Sequence, residues 1–324
     1  MDAVVTLFIF ILLSVVLALA NMERFHGAFR WIAIVAVVLL NLLLIVLGLA
    51  GLAIPMAVVP GLSPSATNAM SAFLRAMGIT GLLAFVPLLP PVRRLLARFL
   101  YIDPRSTVHT VALVYAVYLV GAGIGQQPLA SDPEVLGSLG DVGVSSITIW
   151  TQALGMVILA VTGVGLLTRR SVRQVTDRLG LQVPTLAQLG VAVLSVAGLI
   201  VFQIIFMLAW QAINPESLKK ISDASNLLLG NMTGLAGALT IGLAAALGEE
   251  MISRGAMLPP FRLLTTSVLF TVLHSQYGFS PASLLIFVIA IVLGLLRYRT
   301  NLTVCILVHF GYNFMSVMLP NVVK

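Results

Sequence analysis

The chain has 324 residues, of which 60% are hydrophobic and only 9% charged, with a mean hydropathy of +1.09. Those values exclude a soluble globular domain and place the chain among multi-pass membrane proteins, with the lipid bilayer as its first partner. The formal net charge of +7 does not signal nucleic acid, because the 18 Lys and Arg fall between apolar runs, where they act as topology signals.

Runs long enough to cross a hydrocarbon core need roughly 20 residues. In chain order they are predicted near 3–20, 31–54, 70–90, 108–125, 147–167, 186–212, 232–258, 264–278, 281–296 and 301–319. The fold class expected is therefore all-α, a polytopic membrane bundle of about ten transmembrane helices. The segment from Leu264 is the shortest, and Gly278, Ser280 and Pro281 punctuate its end. Met1-Asp2-Ala3 carries no basic stretch ahead of the first apolar run, so a retained first helix is expected rather than a cleaved signal peptide.

Basic residues collect after the first, third, fifth, seventh and ninth runs: Arg24 and Arg30, then Arg93, Arg94, Arg98 and Arg105, then Arg169, Arg170, Arg173 and Arg178, then Arg262, then Arg297 and Arg299. The loop after the fourth run is acidic, with Asp132, Glu134 and Asp141, while Lys219 and Lys220 after the sixth are the main exception. This pattern predicts a multi-pass protein of the cell membrane with both termini outside. The 126–146 loop reads as a solvated connection. Asn231-Met232-Thr233 matches a glycosylation acceptor, but it abuts a span and carries no weight. Cys305 is the only cysteine and lies in an apolar run, so an internal disulfide is excluded.

Polar residues at depth concentrate in the last third. Glu249, Glu250 and Arg254 lie within six residues near the end of the apolar run that starts around Met232. Each such charge costs about 2.5 to 3.5 kcal/mol at a bilayer centre on insertion scales, which makes the cluster a candidate site. Glu250 and Arg254 have the i,i+4 spacing and order of a helical ion pair, whereas Glu249 projects about 100° away. Glu250 is thus expected to be held by Arg254, leaving Glu249 as a general base towards water.

Of four histidines, His26 and His109 fall at predicted span boundaries, where solvation accounts for them. His274 and His309 lie inside apolar segments. Phe270 and His274 share a helical face, as do His309 and Asn313. A rise of about 1.5 Å per residue puts Glu249, His274 and His309 within roughly 11 Å of a common depth, compatible with one cavity opening towards the cytoplasm. His274 could share the attacking water, and His309 with Asn313 suits stabilisation of an oxyanion.

Glu-Glu-x-x-x-Arg at 249–254, Phe-x-x-x-His at 270–274 and His-x-x-x-Asn at 309–313, in this order, resemble the signature of the CPBP family, the CAAX-processing and bacteriocin-immunity proteins. Gly294 to Asn301 resembles the same family. The family includes the type II CAAX prenyl endopeptidases. The resemblance implies an intramembrane endopeptidase acting on a membrane-associated protein or peptide substrate. Glu249 and His274 would activate water, Glu250 and Arg254 would support them, and His309 and Asn313 would form the oxyanion site. It divides the chain into residues 1–184, membrane helices with no recognised motif, and residues 185–324, the peptidase core.

No cofactor is expected. The residue types leave open a zinc site of two histidines and a carboxylate, but no His-Glu-x-x-His helix is present and the metal-independent glutamate mechanism is preferred. A non-catalytic scaffold or bacteriocin-immunity protein is the alternative, using the same cluster to bind a partner. A transporter ranks last, because the early runs are almost purely apolar.

Overall fold

The computed structural model describes residues 3–53, 63–132, 135, 145–232, 234–274, 277–278 and 280–322. Glu134 and Asp141 of the acidic loop and Thr233 of the glycosylation match lie outside these residues. The described chain is helical throughout. Its helices are α1 (Ala3–Met22), α2 (Ala28–Ala53), α3 (Pro64–Leu83), α4 (Pro90–Leu96), α5 (Thr107–Gly125), α6 (Gln127–Ser131), α7 (Ser146–Gly163) and α8 (Val172–Leu179). The second half holds α9 (Leu186–Ile213), α10 (Pro215–Leu229), α11 (Leu235–Glu250), α12 (Leu258–Leu273), α13 (Pro281–Arg299) and α14 (Leu302–Val322). Between α11 and α12, Met251–Met257 forms a π-helical segment, with the Leu258 amide reaching back five residues to the Ser253 carbonyl.

Among the described residues, nine helical stretches are long and apolar enough to cross a membrane. They coincide with the runs expected from sequence, except that the seventh and eighth are one stretch of 39 residues, Leu235–Leu273. A straight helix of that length would extend about 58 Å, far beyond a core of about 30 Å. The stretch is instead folded back on itself at Arg262, which has φ 65 and ψ 171 within an otherwise helical run. The proof of folding is that Arg254 touches Phe270, its guanidinium 4.2 Å from the ring centre, although sixteen residues of straight helix would separate them by about 24 Å. The two limbs follow the runs near 232–258 and 264–278 that the sequence predicts.

The local sequence explains the turn. Pro259 and Pro260 lack amide hydrogens and cannot continue the hydrogen-bond ladder. Arg262 then donates to the Phe99 carbonyl (3.0 Å) and the Tyr101 hydroxyl (2.7 Å), and its guanidinium lies 4.1 Å from the Tyr101 ring centre. The Tyr101 amide closes the contact on the Pro260 carbonyl at 2.8 Å. These bonds hold a backbone conformation that costs about 1 to 3 kcal/mol in a residue other than glycine.

The same end of the bundle gathers the basic segments. Arg178 donates to the Gly255 carbonyl (3.1 Å) and Arg297 to the Leu179 carbonyl (3.0 Å), while the Leu302 amide donates to the Gly180 carbonyl (2.8 Å). Lys219 and Lys220 belong to α10, a short amphipathic helix with a Lys219–Asp223 contact of 2.6 Å on its exposed face. The early helices pack through small residues. The Cα of Gly78 would lie 2.3 Å from a Cβ placed on Gly48, so α2 and α3 approach backbone to backbone. Cys305 is fully buried, as its apolar context predicts.

Candidate active site

Four helical pieces supply the site: the end of α11, the π segment, the far limb of the hairpin in α12, and α14. The π segment starts immediately after Glu250, and single π turns recur at functional sites because they re-aim side chains along a helix. Here Glu250 and Arg254 remain paired across the junction, with Nη1 to Oε1 at 2.8 Å and both side chains excluded from solvent. The expected ion pair is therefore present, and it is buried. A buried pair needs further hydrogen bonds to offset desolvation. Arg254 donates a second one to the Ala290 carbonyl of α13 (3.1 Å) and stacks on Phe270.

His309 of α14 reaches the same carboxylate, with Nδ1 2.8 Å from Glu250 Oε1. An ionised carboxylate only accepts, so Nδ1 carries the proton and Nε2 is directed away from Glu250. That Nε2 lies 4.0 Å from Glu249 Oε2. His274, at the end of α12, is fixed likewise: its Nδ1 donates to the Phe270 carbonyl at 2.9 Å, and its Nε2 lies 3.7 Å from the same Glu249 oxygen. Two imidazoles and one carboxylate therefore converge on one point. Both separations exceed direct hydrogen-bond range and suit a bridging group.

Burial divides the cluster. Glu250 and Arg254 are sealed at 0% and 1% exposure, whereas the Glu249 and His274 side chains retain 16% and 20%. Among the described residues, Oε2 of Glu249 and Oε2 of Glu250 are buried without a hydrogen-bond partner, and an unpaired buried carboxylate oxygen costs free energy. Phe270 organises the rest. Its ring lies 4.8 Å from that of His274 and 6.0 Å, edge-on, from that of His309, in addition to the Arg254 contact.

Five of the six residues expected from sequence meet at this point: Glu249, Glu250, Arg254, His274 and His309. Asn313 is one turn further along α14 and half-buried, and its side chain makes no hydrogen bond among the described residues. Sequence reasoning foresaw the Phe270–His274 stack. It missed the Phe270–Arg254 and His309–Glu250 contacts, and the Ala290 carbonyl, which has no side-chain signal at all. His26 and His109 lie elsewhere, each accepting a backbone amide at Nδ1, from Ala28 and Asp103 respectively. Among the described residues, no group of three His, Cys, Asp or Glu is arranged to hold a metal ion.

Residues 231–315 match the family described as Type II CAAX prenyl endopeptidase Rce1-like. The match spans all three motifs and bears out the resemblance to the CPBP family. Neither a curated protein nor a solved structure matches the chain.

Proposed function

We propose that this multi-pass membrane protein, whose residues 231–315 belong with the Rce1-like type II CAAX prenyl endopeptidases, hydrolyses a peptide bond in a membrane-associated protein or peptide by means of a water activated at Glu249. The observation that carries the reading is the convergence of His274 Nε2 and His309 Nε2, at 3.7 and 4.0 Å, on one unpartnered oxygen of Glu249.

A water held between Glu249 and His274 loses a proton to Glu249 as its oxygen attacks the scissile carbonyl carbon. The carbonyl oxygen becomes an oxyanion. His309 and Asn313, on one face of α14, supply the donors for it: a His309 ring that carries a proton on both nitrogens in this step gives Nδ1–H to Glu250 and Nε2–H to the oxyanion. When the tetrahedral intermediate collapses, the C–N bond breaks and Glu249 returns its proton to the leaving amine. Glu250 and Arg254 touch no reacting atom in this scheme. They are positioning residues that fix the His309 ring and the hairpin.

The mechanism needs no metal ion. By the positive-inside rule we read the turn end, where arginines gather, as the cytoplasmic one, with the site opening to that side and both termini on the other. The experiment is a comparison of membrane proteomes from cells carrying the wild-type chain or Glu249→Gln, reading new peptide termini. Cleavage products that depend on Glu249 support the reading. Identical termini, with a wild-type phenotype rescued by the variant, would establish the scaffold alternative instead.

A further inference from the structure

A cavity lies behind the site. It has a volume of about 830 Å³ and is walled by α1, α5, α7 and the face of the π segment opposite Arg254, through Ile252, Ala256 and Met257. None of the six site residues lines it. Along α5 it extends from Ser106 to Ala122, roughly 24 Å of helix. Spread over that length, its volume makes it an elongated space rather than a rounded one. The shape suits one extended chain.

Chemistry is distributed along that length. The barrel is apolar, with Phe10, Leu13, Ala116, Leu119, Met156 and Leu159 among its lining residues. The basic end carries Arg105, Arg169, Arg170 and Arg178 against only Glu23 and Asp103. None of these four guanidinium groups forms a salt bridge among the described residues. Arg169 is held by the Asn21 carbonyl, Arg170 by that of Val164 and Arg178 by that of Gly255, so backbone oxygens orient the cations without neutralising them. Burial depresses the basicity of Arg169, and burial together with repulsion from Arg170 and Arg297 does the same for Arg178. An excess of cations at the mouth of an apolar barrel is complementary to an amphiphile with a negative head.

We propose that this cavity binds an anionic single-chain lipid, its tail between α1, α5 and α7 and its headgroup against Arg105, Arg169, Arg170 and Arg178. This assigns a role to helices of the first 184 residues, which carry no catalytic motif. The bound tail also braces the π segment from behind. The proposal does not depend on Glu249 chemistry.

The test uses the full chain purified in a nonionic detergent, with binding read by native mass spectrometry and by thermal stabilisation. The probes are lysophosphatidylglycerol, lysophosphatidylcholine of the same chain length, a two-chain phosphatidylglycerol, and inorganic phosphate. The anionic single-chain probe should bind at least about tenfold more tightly than the zwitterionic one, and more weakly as salt rises. Arg105→Gln, whose side chain is exposed, should reduce its affinity by about three- to tenfold. Ala116→Trp, which fills the barrel, should abolish binding in a chain of unchanged helicity. Equal affinity for the two lysolipid headgroups, phosphate or the two-chain lipid binding as tightly as lysophosphatidylglycerol, or undiminished binding in both variants would each overturn the proposal.

Discussion

The guanidinium of Arg254 lies 4.2 Å from the centre of the Phe270 ring, between residues on opposite limbs of one hairpin. That contact fixes the register of the turn at Arg262. In the same register Glu249 faces His274, so the structural contact between the supporting residues sets the distance between the reacting ones. The limb of α12 after Arg262 ends at His274, delivering the imidazole to Glu249.

Arg254→Met should destabilise the protein by about 3 to 5 kcal/mol, because it leaves Glu250 as a sealed charge with no cation. The Glu250→Gln/Arg254→Met double variant should recover part of that loss. Glu249→Gln should leave stability unchanged or raise it by about 1 kcal/mol, since it removes a buried carboxylate oxygen that has no partner. Thermal unfolding in detergent separates the three.

Phe270→Leu keeps an apolar side chain but removes the ring that Arg254, His274 and His309 share. The lost cation–π contact should cost about 0.5 to 2 kcal/mol of stability. Cleavage should fall through kcat more than through KM, because the ring orients the imidazoles and does not meet substrate. Steady-state kinetics on the purified variant reads the split.

Gly48→Ala is remote from the site and should still destabilise the N-terminal helices. Its Cβ would lie 2.3 Å from Gly78 Cα, so backbone rather than a flexible side chain has to yield. A loss of about 1 to 3 kcal/mol is expected, visible as a lower thermal unfolding midpoint in detergent.

Treatment with 1,10-phenanthroline or EDTA should leave the cleavage rate within about twofold, as a carboxylate acting as general base requires. A loss of activity that zinc restores would replace the glutamate mechanism by a metal-assisted one.

Contacts within one helix were legible in the sequence because spacing alone defines a face. Glu250 with Arg254 and Phe270 with His274 are both i,i+4 pairs and both form. The apolar runs were legible for the same reason, since span length follows from hydrocarbon thickness. Contacts between helices were not. Glu250 and His309 are separated by 59 residues, and only the packing of α11 against α14 brings them together. The turn at Arg262 was half visible. Pro259 and Pro260 announce an interruption, but its sharpness depends on Phe99 and Tyr101, far away in sequence. The π segment has no pattern that marks it in advance, and the cavity behind it requires three early helices, α1, α5 and α7, that come from separate parts of the chain.

The most direct measurement is the cleavage rate of the purified chain in proteoliposomes towards a substrate identified from the membrane proteome comparison, wild type against Glu249→Gln. The two proteins must be matched for amount and helicity. A fall of at least about a hundredfold, with substrate binding retained, is the result predicted for loss of the general base. A variant that cleaves at the wild-type rate would contradict the assignment of Glu249 and reduce the cluster to a buried ion pair that holds a hairpin.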